Sequence, residues 1–197
     1  MRHPASKQLF FYWNRLRGAR TAPDRADFNP SAVASQLADI FLLEPMAAEL
    51  YRVRLAGSRL CALFGQELRG EPALNLVSPE AEADFTEMLA IVTGDTVPVI
   101  AGISALLPDG QSLPGEMLLL PLIHGGHSSD RLLGSVTFPP ALRRPVEPCV
   151  GLDILSFRVL NEAEIGNLPP PAPDLPIDVR HLTARRGHLT ILDGGLR

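Results

Sequence analysis

Hydrophobic positions recur at helical spacing near the start of the chain. Across residues 7–17, Leu9, Trp13 and Leu16 fall on one face of a helix, and Phe10, Phe11 and Tyr12 widen that stripe beyond one face. Gly18 ends the segment. A second helical start follows at Asn29-Pro30, a capping residue and a first-turn proline, carrying Val33 and Leu37 toward the core. The period then changes from 3.6 to 2. Residues 40–44 and 50–56 read as a hairpin in which Tyr51, Val53 and Leu55 face the core and Arg52 and Arg54 face away. Leu60, Leu63 and Phe64 return to helical spacing after a cap at Ser58, and residues 80–93 form the strongest helix, with Phe85, Met88, Leu89 and Val92 on its apolar side.

Three further strands are predicted over residues 97–107, 113–123 and 132–138, the first two joined by the turn Pro108-Asp109-Gly110. Residues 152–160 fit one more strand or a docked helical turn, and the prolines of 168–176 predict an extended linker ahead of a basic patch at Arg180, Arg185 and Arg186. Strands cluster instead of alternating with helices. This predicts an α+β fold, a five-stranded antiparallel sheet with helices on one face. The chain divides into an N-terminal helical extension (1–39), the sheet-bearing domain (40–140), a C-terminal extension (141–167), and a proline-rich linker and tail (168–197) that is expected to contribute little to stability.

Composition narrows the functional classes. Of 197 residues, 46% are hydrophobic and 20% charged, enough apolar material for a real core, and the net charge of −4 gives no general attraction to nucleic acid or anionic membrane. No segment approaches the roughly 20 apolar residues needed to span a bilayer, and the apolar run 9–13 leads into arginines, unlike a signal peptide. Cys61 and Cys149 read as two reduced thiols of a cytoplasmic protein, Cys61 as a small buried hydrophobe.

Catalytic constellations do not emerge. Nucleophile elbows, phosphate-cradling glycine loops and paired metal ligands are missing, so the chain is predicted not to be an enzyme. His124 and His127 read as a solvated loop, with no carboxylate or thiol cluster beside them. The carboxylates Glu80, Glu82, Asp84 and Glu87 sit where a helix N-terminus favours negative charge. Arg15, Arg17, Arg20 and Arg25 are interspersed with Asp24 and Asp27, which predicts local pairing.

The element order of residues 40–140, with the Asp109-Gly110 turn and the run Glu116-Met117-Leu118-Leu119-Leu120-Pro121-Leu122, resembles a PAS domain. Residues 13–20 with 23–27, then 51–61, then 63–70 further resemble a family of small PAS-like proteins of unknown function from proteobacteria. The resemblance implies signal reception or protein–protein regulation and brings no catalytic residues. A small apolar ligand between sheet and helices would be lined by Tyr51, Val53, Phe64, Phe85, Met88 and Leu118. Haem is disfavoured, because the helix 80–93 has no histidine. Flavin is disfavoured as well, because Arg-Leu-Cys-Ala-Leu around Cys61 does not match the Asn-Cys-Arg-Phe-Leu-Gln type run of flavin-binding PAS photoreceptors. The surplus apolar face of the first helix, Leu9, Phe10, Trp13 and Leu16, predicts a homodimer interface, alongside contact with a partner protein.

Overall fold

The structure is a computed structural model that describes residues 1–46, 50–125, 128–139 and 147–160. His127, the prolines of 168–176 and the basic patch at Arg180, Arg185 and Arg186 lie outside the described residues. Helix α1 (Pro4–Arg17) leads, and a 3-10 segment (Pro30–Asp39) follows. The hairpin strands β1 (Ile40–Pro45) and β2 (Tyr51–Ala56) precede helices α2 (Ser58–Phe64) and α3 (Glu82–Gly94). Strands β3 (Val99–Leu106), β4 (Ser112–His124), β5 (Ser128–Thr137) and β6 (Gly151–Val159) complete the fold.

The α+β architecture with an antiparallel sheet is as expected, but the sheet has six strands in the order β2-β1-β5-β4-β3-β6. The extra strand is β6, which pairs with β3 from Leu106↔Gly151 to Val99↔Val159. A register shift opposite Gly102/Ile103 inserts Leu155 as an unpaired residue. That bulge breaks the alternation of Leu152, Ile154 and Phe157, which is why the segment does not read cleanly as a strand.

Helices cover both faces. On the inner face, α2 and α3 pack over Phe41, Leu43, Val53, Ala101, Met117 and Leu119. On the outer face, α1 and the 3-10 segment cover Ile40, Leu42, Ile100, Leu118, Leu120 and Leu133. Successive residues of β4 therefore point into different cores, and both are dry. At its centre β4 is apolar at every position because neither of its faces meets water. The inner core is drawn tight at one cross-strand pair: Phe41 lies opposite Gly134 on β5 and its ring covers the glycine.

Two local expectations change. The second helical segment is 3-10 in character and kinks at Val33 (φ −127°), so Val33 is buried while Leu37 stays exposed. In β2, a register shift opposite Leu42/Leu43 pairs Leu55 with Leu42 and leaves Arg54 unpaired. Leu55 thereby turns to the outer face and is 45% exposed, instead of facing the core with Val53. The cap before α2 is Gly57, with Ser58 the first helical residue.

Candidate functional site

The residues expected to line a ligand divide between the two cores. Tyr51 and Val53 from β2, Phe64 from α2, and Phe85 and Met88 from α3 all belong to the inner-face cluster. Leu118 does not join them. It is fully buried on the outer face beneath α1, because its position in β4 has the opposite parity to Met117 and Leu119. The inner-face cluster is built of apolar side chains from the sheet, α2 and α3, so a molecule held there would be selected by shape and apolar surface.

Most of the apolar surface of the first helix turns inward, while Phe11 and Leu16 stay half-buried. Leu9, Phe10 and Trp13 are buried on their own sheet, and Leu16 packs against the same cluster. Trp13 stacks on Phe10 with ring centroids 6.0 Å apart, and its indole Nε1 donates to the Pro121 carbonyl at 2.8 Å. The Tyr12 hydroxyl accepts from the Asn29 amide at 2.7 Å and donates to the Asn29 carbonyl at 3.2 Å. At the helix start, Glu116 of β4 accepts from the amides of Arg2 (2.7 Å) and His3 (3.3 Å). Leu9, Phe10 and Trp13, expected at a dimer interface, are thus covered within the chain by an apolar sheet face.

Beside that helix start the outer face stays open toward β3 and β6. A groove of about 980 Å³ runs there, with Arg2, His3, Glu116, Gly102, Ser156 and Arg158 among its walls. Gly102 leaves the floor low, since a Cβ there would meet only the Ser156 hydroxyl, at 3.5 Å.

A charged cluster that sequence reading missed lies at the other end of the outer face. Glu44, one residue before the end of β1, has its side chain 10% exposed and receives three arginines. Arg52 Nε donates at 2.9 Å, an Arg54 nitrogen donates at 3.1 Å, and Arg131 of β5 stands at 3.7 Å. Burial alone would push the Glu44 carboxyl up. The hydrogen bond from Arg52 and the charges of Arg54 and Arg52 outweigh it and hold the group below its ordinary value of 4.5. A folded-state value below the unfolded one stabilises at neutral pH, and that contribution disappears as pH falls through the folded value. Glu44→Gln is expected to cost about 1–3 kcal/mol near neutral pH, discounted because two of the arginines are half in water. The gap from wild type should close as urea midpoints are followed from about pH 6 down to pH 3. The only sequence signal was an acid at a strand end next to two arginines on the following strand.

Both cysteines are free. Cys61 is only partly buried, its Sγ 3.7 Å from a Glu67 carboxylate oxygen. Cys149 is buried, and desolvation raises its thiol to about 11. A thiol reagent at mildly alkaline pH is therefore expected to modify Cys61 first and Cys149 only on unfolding, which peptide mass mapping over a time course will check. Arg20 pairs with Asp27 at 2.7 Å as expected, and Arg15, Arg17 and Arg25 lie over the rings of Tyr12, Trp13 and Phe28. Among the described residues, no group of three or more His, Cys, Asp or Glu is placed to hold a metal ion, and no helix is long and apolar enough to cross a membrane.

A PAS domain family model matches residues 1–137, well over half of the chain and running from before α1 to the end of β5. The chain belongs to the PAS domain family. That membership places it among sensing and regulatory modules and apart from enzymes. The matched stretch includes α1 and ends before β6, so the sixth strand is an addition beyond it. No curated protein matches the chain.

Solved structures of light-oxygen-voltage domains are similar to this chain at low identity. One comes from work on a flavin analogue and the light-oxygen-voltage domain mechanism; it is 14% identical and covers 55% of this chain and 82% of that one, with a TM-score of 0.45. The light-state structure of the blue-light photoreceptor Aureochrome1 LOV is 12% identical, covering 55% and 87%, with a TM-score of 0.43. Its dark-state structure is 13% identical, covering 55% and 80%, with a TM-score of 0.42. The expectation that flavin is disfavoured is overturned here. The finding set against it is that the similar structures are light-oxygen-voltage domains, one of them described through a flavin analogue.

Proposed function

We propose that this PAS domain is a regulatory module that senses a small apolar molecule in its inner-face core and passes its state on through contact with a partner protein. The observation that supports this reading is the convergence of Tyr51, Val53, Phe64, Phe85 and Met88 on one apolar cluster between β2, α2 and α3. A molecule seated there would touch both helices and the sheet, so its presence would bias how they pack. Two free thiols suit a reducing compartment such as the cytoplasm.

Native mass spectrometry of the full chain tests the proposal, followed by thermal melting with a panel of apolar and aromatic molecules. A retained molecule, or a melting temperature that rises with ligand concentration and no longer does so in Met88→Trp, is the expected result. A chain that carries nothing and melts alike with every member of the panel would overturn it.

A further inference from the structure

We propose that the outer-face end of β1 and β2, built from Arg52, Arg54 and Leu55 around Glu44, docks an acidic, leucine-bearing segment of a partner protein. The inference rests on the reading of the chain as a regulatory module and names the surface through which it would act.

The surface is a product of the β2 bulge. A regular strand would send Arg52 and Arg54 to one face and Leu55 to the other. The register shift opposite Leu42/Leu43 puts Leu55 across from Leu42, a residue of the outer-face core, so Leu55 joins the arginines. Among the described residues the cluster sets three guanidiniums against a single carboxylate. Glu44 is nearly out of solvent, while the Arg52 and Arg54 side chains are 48% and 55% exposed. One carboxylate offers two oxygens to three five-donor forks, so Glu44 can accept from only a minority of the arginine N–H groups on this face. Their directions are set in advance by the ion pairs, which lowers the ordering cost of a second carboxylate.

Apolar surface adjoins this charge. Leu55 is 45% exposed and Leu37, on the 3-10 segment, is 36% exposed. The chain after Leu55 runs against the Leu37 backbone at Gly57, where a Cβ would stand 2.1 Å from the Leu37 carbonyl. Guanidiniums in excess call for carboxylates, and an exposed leucine beside them calls for an apolar side chain. With the whole chain at −4, the attraction is local to this patch.

The test uses the full chain and fluorescence anisotropy with three labelled probes: a peptide of alternating Glu and Leu, the same peptide with Gln for Glu, and a single-stranded DNA oligonucleotide of equal length. The acidic peptide is expected to bind saturably and to weaken as salt rises, with the Gln peptide at least about tenfold weaker. Arg54→Gln and Leu55→Ser should each weaken the acidic peptide by about fivefold or more. Arg54→Gln leaves Glu44 paired with Arg52 and Arg131, and Leu55 is half in solvent, so melting temperatures near wild type serve as the folding control. Absence of saturable binding, equal binding of the Gln peptide, indifference to both substitutions, or tighter binding of the oligonucleotide would each overturn the proposal. An inner core that holds no ligand would sink the sensing role and leave this surface standing, so the two failures are told apart.

Discussion

Trp13→Ala is expected to remove about 3–5 kcal/mol of stability, the range for truncating a large buried aromatic. The indole is 2% exposed and stacks on Phe10, and the whole outer-face core lies beneath it. Alanine leaves a void the width of a ring system between α1 and β4, and a backbone helix lying across a twisted sheet cannot collapse far enough to fill it. The Pro121 carbonyl is also left without its indole donor, in a site that water enters only by opening the helix. Trp13→Phe separates the two contributions, since it keeps most of the apolar volume and loses the donor. About 1–2 kcal/mol is expected for that variant. Urea unfolding followed by far-UV circular dichroism measures both, because Trp13 is the sole tryptophan and fluorescence disappears with it. A loss below about 1 kcal/mol for the alanine variant would mean that α1 is not held as described.

The same helix marks the boundary of what the sequence discloses. Its helical spacing is plain, as is that of α3, where Phe85, Met88, Leu89 and Val92 repeat on one side and are all buried. The turn at Asp109-Gly110 is equally plain, with Gly110 at φ +81°. What periodicity along one segment cannot say is how many apolar faces await it elsewhere. Leu9, Phe10, Tyr12 and Trp13 look like a surplus only if the sheet has one dry face. The contrary signal was present in β4, where Met117–Leu122 is apolar at every position and so asks for cover on both sides. Leu118 lies in the outer-face core and not with Met117 for the same reason: an unbroken apolar run carries no parity.

Bulges account for most of the remaining differences between pattern and structure. One extra residue in β2 sends Leu55 outward, and one in β6 breaks the alternation that would have identified the sixth strand. Nothing in the composition of either segment, no glycine at the bulge and no proline, announces them. Register is a property of two strands, and the Glu44 cluster, drawn from β1, β2 and β5, becomes visible only when both registers are known.

Gly134→Ala is expected to destabilise the chain by about 3 kcal/mol, the upper end for a single overpacked methyl. The pair Phe41↔Gly134 joins β1 to β5 in the middle of the sheet, and the Phe41 side chain is fully buried in the inner-face core. A Cβ on Gly134 would lie 2.1 Å from Phe41 Cζ and 2.3 Å and 2.5 Å from its two Cε atoms, far inside van der Waals contact. The obstacle is a rigid ring with no solvent-exposed end to swing away. Relief requires either rotating Phe41 off its rotamer within a packed core or separating β1 from β5, and the second route also strains the β2 edge that hangs on β1. The glycine is needed for space, since its neighbours in β5 are ordinary extended residues. The double variant Phe41→Leu/Gly134→Ala tests that cause, because a smaller, flexible side chain makes room for the methyl. Its loss should fall below the sum of the two single losses by about 1 kcal/mol or more. Urea midpoints of the four proteins give the coupling directly, and strict additivity would show that the ring does not sit on the glycine.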